Sequence, residues 1–216
     1  MKATDYSAVS NEAAFAAAYS LAQGNYLDPV SCNVPLDQSV LLGIGNLGIT
    51  NADSAVPILG TYGLDPCLGI ALYNKKTKTV AVIHNDENDT LAFERLLKQV
   101  RDNESDKIEI HLIGACYNRH DDDLNEFLLG NLCALLNKIS HTPNVILKTF
   151  DVFDKPHPES FAIDARNGKL IRGGNDITGT LADAHKNKRE YFTKCKIMSC
   201  DFDGRTIVNK AQHALT

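Results

Sequence analysis

The chain has 216 residues, of which 44% are apolar and 23% charged, with a formal net charge of -5. That length suits one domain with a substantial core, and the composition is that of an ordinary globular chain. Scattered Lys and Arg under a negative balance argue against a nucleic-acid partner, which needs clustered cations, and no apolar run is long enough to span a bilayer.

The start of the chain does not read as a signal peptide. Lys2 is followed by Asp5 and Glu12, and Ala13–Ala18 is too short and too weakly apolar. The expected location is cytoplasmic, with delivery into another cell as the alternative. Six cysteines stand at 32, 67, 116, 133, 195 and 200. Without an export signal they read as reduced thiols, mostly buried. No C-x-x-C or H-x-x-x-H occurs, and Cys195 and Cys200 lack a partnering pair, so neither a metal nor another cofactor is expected.

Taken in order, residues 11–23 predict an alanine-rich helix ending at Gly24, and residues 25–37 an irregular connection. Ser39–Ile44 reads as a strand broken by Gly43, Gly45 and Gly48, with no Gly-Lys-Ser/Thr to make it a phosphate loop. Ala55–Thr61 is a short strand leading into a turn before Cys67. Leu68–Tyr73 and Thr79–Ile83 are strands joined by the polar turn Asn74–Lys78. Thr90–Arg101 is a helix with Asp89 as its N-cap and Leu91, Leu96, Leu97 and Val100 at near-helical spacing.

Lys107–Ile113 alternates as a strand, Asp121–Lys138 is the longest helix, and Val145–Phe153 is a further strand. Asp121-Asp122-Asp123 suits a helix N-terminus and lacks the alternating ligands of a calcium loop. Phe161–Asp164 and Lys169–Ile171 form a hairpin across Arg166-Asn167-Gly168. Thr178–His185 predicts a short helix, and Cys195–Ser199 with Thr206–Val208 a final hairpin. With no linker or repeat, the expected fold is a single α+β layered domain over 1–216, a mixed or antiparallel β core flanked by helices.

Cys67 and His84 carry the chemical information. Cys67 precedes the first strand of a hairpin and His84 ends the second, so a thiol and an imidazole become neighbours where the two outer ends meet. That pairing is what a cysteine nucleophile and its base require, since an imidazole partner favours the thiolate and then returns a proton to the leaving group. Thr61, through its hydroxyl or its carbonyl, is placed to fix the imidazole tautomer. On residue types alone, a Cys in an apolar strand is more often a small core residue. His111, alternating with apolar neighbours, reads as a packed or exposed sheet residue, and Cys116 as a space-filler at a strand end.

Thr61-x-Gly63-Leu64-x-x-Cys67, with His84 seventeen residues on, is similar to the Thr, Cys and His motif of the CheD chemoreceptor glutamine deamidases. A longer likeness runs to the protein N-terminal asparagine amidohydrolases. Leu59-Gly60-Thr61 through Cys67 resembles their nucleophile segment, with Thr61 where that family has Ser. His84-Asn85-Asp86-x-x-Asp89-Thr90 and Glu109-Ile110-His111-Leu112-Ile113-Gly114 resemble two further segments. The hairpin Phe161–Arg172 has a counterpart in both families. The resemblance covers about residues 55–173, leaving 1–50 as an N-terminal extension.

This resemblance implies a CheD-like deamidase fold and a Cys–His amidohydrolase with no cofactor, its partner a protein or peptide substrate. Cys67 would be the nucleophile, His84 the general base and acid, and Thr61 the residue orienting His84. Asp86, Asp89 and Asp65 would be substrate-binding residues, the first two holding the α-ammonium of an N-terminal Asn. In their bland reading Asp86 is a loop residue and Asp89 a helix cap. CheD has Gly-Ser before the Cys where this chain has Asp65-Pro66, and proline offers no N–H to an oxyanion. The alternatives are a glutamine deamidase acting inside a target protein, a transamidating variant, and a non-catalytic binding protein with this fold.

Overall fold

Two sheets are built around the hairpin 68–85. The computed structural model describes residues 38–64, 66–85, 89–115, 122–152, 160–173, 196–200 and 206–207. The helices expected at 11–23 and 178–185 lie outside these residues. The strands are β1 (Ser39–Leu42), β2 (Asn46–Asn51), β3 (Ile58–Thr61), β4 (Leu68–Asn74), β5 (Thr79–Asn85), β6 (Ile108–Gly114), β7 (Val145–Val152), β8 (Ser160–Asp164), β9 (Lys169–Gly173), β10 (Lys196–Cys200) and β11 (Thr206–Ile207). The helices are α1 (Asp89–Val100) and α2 (Asp122–His141).

One sheet has the order β11-β10-β2-β5-β4-β6-β7 and the other β1-β3-β8-β9. Neighbours are antiparallel except β1–β3 and β6–β7, so the class is α+β with mixed sheets. The strand expected over Ser39–Ile44 ends at Leu42, and a second strand, β2, begins at Asn46. Gly43–Gly45 is the turn, and the strands on either side enter different sheets. Residues 39–51, which precede the family likeness, are therefore built into both sheets.

The faces of the larger sheet explain the layering. Leu68, Ile70 and Leu72 of β4, with Ile108, Ile110 and Leu112 of β6, pack against Ala92, Phe93 and Leu96 of α1 and Leu132 and Leu135 of α2. The alternate residues, Ala71 and Tyr73 with Val80 and Val82, meet Val40, Leu59, Phe161 and Ile163 of the smaller sheet. A strand buried on both faces reads as a continuous apolar run, which is why Leu68–Tyr73 does not alternate. Among the described residues, helices cover one face of the larger sheet and the smaller sheet covers the other. In α1 the buried stripe is Ala92, Phe93, Leu96 and Val100, while Leu91 is exposed.

The closed end of the hairpin is anchored by Asn74. Its side-chain N–H groups donate to the Val100 carbonyl (3.0 Å) and the Asp106 carboxylate (3.2 Å), and its oxygen accepts from the Lys76 and Thr77 amides. Lys76 reaches Asp106 at 3.0 Å, and chiefly for that reason the Asp106 carboxyl titrates below the usual carboxylate range. A buried amide satisfied on both sides stabilises one register, because a slip would strand its donors.

Gly114 and Gly130 give opposite predictions. Gly114 ends β6 at φ +104°, and an added Cβ would lie 2.5 Å from Leu64 Cβ and 2.8 Å from the Cys67 carbonyl oxygen. Gly130 sits exposed in α2 with nothing within 4 Å of an added Cβ. Urea denaturation should show Gly114→Ala destabilised by about 2 kcal/mol or more. Gly130→Ala should be stabilised by about 0.5–1 kcal/mol.

Candidate active site

Thr61 and His84 meet at the open end of the hairpin, between the sheets, and Cys67 lies on the same face. Thr61 is the last residue of β3 in the smaller sheet, and His84 lies near the end of β5 in the larger one. Thr61 Oγ1 is 2.8 Å from His84 Nδ1 and 2.9 Å from the Leu42 carbonyl oxygen. All three residues are buried, Thr61 and His84 at 0% and 1% exposure and Cys67 at 8%.

The two bonds fix the imidazole tautomer. A threonine hydroxyl has one hydrogen. The Leu42 carbonyl can only accept, so that hydrogen points to Leu42. The Thr61 oxygen then accepts from His84 Nδ1–H, and the neutral ring keeps its lone pair on Nε2, the atom that can take a proton. The side-chain hydroxyl, not the Thr61 carbonyl, is therefore the orienting group. Leu42 was not legible as part of the site, because the parallel pairing Leu42↔Thr61 is a long-range contact with no local signature.

Cys67 stands one residue before β4. Its carbonyl accepts the Ala115 amide at 2.8 Å, which extends the β4–β6 ladder by one step. Register then decides what it faces. Gly69 lies opposite His84, and Cys67 is two residues before Gly69, so Cys67 and His84 are diagonal neighbours on one face. Both belong to the face turned to the smaller sheet, where Cys67 packs in the inter-sheet cluster with Leu64 and Phe161. Diagonal neighbours stand about 7–8 Å apart, a span that long side chains cover. Gly69 leaves the space beside the imidazole to Leu64 and the Phe161 ring, into which any Cβ there would run.

The carboxylates are placed unevenly. Asp65 and Asp86 lie outside the described residues, as does Cys116, and Asp89 is the first residue of α1. Among the described residues, no group of three or more His, Cys, Asp or Glu converges as a metal would require. No helix among them is long and apolar enough to cross a membrane. No protein-family model matches the chain, and no curated protein matches it.

His111 forms a second buried His–Thr pair, away from Cys67. Its Nδ1 is 2.9 Å from Thr149 Oγ1, beside the irregularity in the β6–β7 register. Burial first, and the Lys148 ammonium second, lower its pKa from 6.5 to about 4. It is therefore neutral at physiological pH.

Two predictions follow from these histidines. The unfolded chain binds a proton at His111 more readily than the folded one between pH 6.5 and about 4. Stability should be complete above that window and fall through it on acidification, by on the order of 3 kcal/mol. Urea midpoints measured from pH 7.5 to 4 should drop steeply for the wild type and less for His111→Gln. Asp106 and Asp164, whose carboxyls are both lowered, would contribute only below about the ordinary 3.8 and so fall outside it. For His84, ring nitrogen NMR shifts at neutral pH should report the Nδ1–H tautomer, and Thr61→Val should remove that bias. An Nε2–H ring in the wild type would contradict the bond assignment.

Proposed function

We propose that the chain is a cysteine amidohydrolase of CheD-like fold that converts a side-chain carboxamide to a carboxylate with release of ammonia, foremost that of an N-terminal Asn on a protein or peptide. The observation that carries this reading is the oriented imidazole. Thr61 and Leu42 leave the His84 lone pair on Nε2, on the face that Cys67 shares. A structural histidine needs no defined basic nitrogen, but a general base does.

The steps follow from those atoms. His84 Nε2 takes the Cys67 thiol proton as sulfur attacks the carboxamide carbon. The tetrahedral adduct collapses, its C–N bond breaks, and His84 returns the proton so that ammonia leaves. Water attacks the resulting thioester while His84 Nε2 accepts its proton, and cleavage of the C–S bond restores the thiol and frees the acid. Overall one carboxamide and one water give one carboxylic acid and one ammonia. Thr61 moves no proton and holds the ring throughout. The choice of an N-terminal Asn rests on the likeness of 84–90 to the asparagine amidohydrolases.

The decisive experiment is an ammonia-release assay on Asn-start and Gln-start peptides, with N-acetylated and internal Asn and Gln controls. Asn-start peptides should release ammonia, and acetylation should suppress it. Cys67→Ala should abolish turnover, His84→Ala should lower it by about 10³-fold or more, and Thr61→Val by about 10–100-fold. Release from internal Gln in place of Asn-start peptides would favour the glutamine deamidase. Unchanged turnover in Cys67→Ala would end the reading. Iodoacetamide should modify Cys67 ahead of Cys133, whose thiol pKa burial pushes up.

A further inference from the structure

The face that carries Cys67 and His84 continues past them onto the outer strands of the larger sheet. The pairs His84↔Gly69, Gly69↔Ile113 and Ile113↔Asp151 make one unbroken transverse row across β5, β4, β6 and β7. Directly paired residues share a face, so Asp151 stands on the same face as His84 and its diagonal neighbour Cys67. Packing agrees with the register. Ile113 lies in the inter-sheet cluster, whereas Phe150, one residue before Asp151, packs toward the helices.

Along this face the character changes from strand to strand. On β4 and β5, under the smaller sheet, it presents Ala71, Tyr73, Val80 and Val82. On β6 and β7 it presents Glu109, His111, Thr149 and Asp151. Among the described residues His111 Nε2 is buried with no hydrogen-bond partner, a cost that packing alone does not explain. The two carboxylates of this strip differ in place. Glu109 stands toward the closed end of the hairpin, where Lys148 reaches it at 3.6 Å. Asp151 is half-buried at the open end, where Cys67 lies. Asp89 opens α1, and α1 covers the opposite face of the sheet.

From Cys67, Asp151 is two strand spacings across and two residues along the sheet, about 12 Å between backbones. The α-ammonium of an Asn-start peptide stays within a few bonds of the carboxamide carbon and falls short of that carboxylate. A Lys or Arg side chain on the next residue covers the distance. We propose that Asp151 is a specificity-determining residue: its carboxylate selects a Lys or Arg beside the residue whose carboxamide reaches Cys67. This rests on the amidohydrolase reading and adds a substrate preference to it. The contact is remote from the reacting atoms, so it acts on binding and leaves the chemical steps alone.

The test is steady-state ammonia release by the full chain on matched Asn-start peptides with Lys, Gln or Glu at the second position. Wild type should favour Lys over Glu by about tenfold in kcat/KM, through KM, and added salt should compress that ratio. Asp151→Asn should level the series with kcat held, Asp151→Glu should keep it, and Asp151→Lys should invert it. Thermal melts check that each variant folds, and where one does not, the wild-type series in salt and the remaining variants decide. If wild type turns over the three peptides equally, or Asp151→Asn or Asp151→Lys keeps the preference for Lys, the inference is overturned while the amidohydrolase stands. If wild type releases no ammonia from any peptide and Cys67→Ala behaves identically, both fall together.

Discussion

One hydroxyl holds the site together across two sheets. Thr61 belongs to the smaller sheet and His84 to the larger, and the Thr61 oxygen joins them while giving its own hydrogen to Leu42. All of this lies out of water, where a hydrogen bond contributes a net 0.5–1.5 kcal/mol but an abandoned partner costs about 1–3 kcal/mol. The two layers cannot slide past one another without breaking that chain. The same constraint that stabilises the sandwich also selects the tautomer of the ring, so packing and chemistry depend on a single donor.

The rest of the architecture serves that contact. Asn74 pins the closed end of the hairpin and sets its register. The register runs unbroken to Leu68↔Asn85, which places Gly69 opposite His84. Glycine there admits Leu64 and the Phe161 ring close against the β4 backbone. Gly114 lets Leu64 and the Cys67 carbonyl approach β6 closely enough for the Ala115 amide to bond. Cys67 ends buried in the inter-sheet core with Leu64 and Phe161.

The two buried His–Thr pairs show why residue type alone does not identify a base. His84 and His111 each bond a threonine through Nδ1. Among the described residues, the Thr61 hydroxyl has a second acceptor that fixes the direction of its hydrogen, and His84 shares a diagonal with Cys67. His111 sits where β6 and β7 fall out of register, and there the pair joins an edge strand to the sheet.

Much of this was legible in the residues. The hairpin 68–85, both described helices near their observed bounds, and the placement of 67 and 84 at the open end of that hairpin follow from apolar periodicity and a polar turn, which are local properties of neighbouring residues. Thr61 was legible as a partner for His84 but not the atom it would use, since that depends on Leu42, nineteen positions away along the chain. The strand expected over Ser39–Ile44 stops at Leu42, and β2 at Asn46–Asn51 was not foreseen, because local sequence does not say that a turn sends its two arms into different sheets. The second sheet over the Cys67 face was invisible for the same reason: apolar alternation states that a face is buried, never what buries it. Sequence by itself thus determined the hairpin that brings residues 67 and 84 to one end, and the tertiary structure alone decided the tautomer of His84 and the burial and shared face of both, because those are set by hydrogen bonds and packing between segments far apart in the chain.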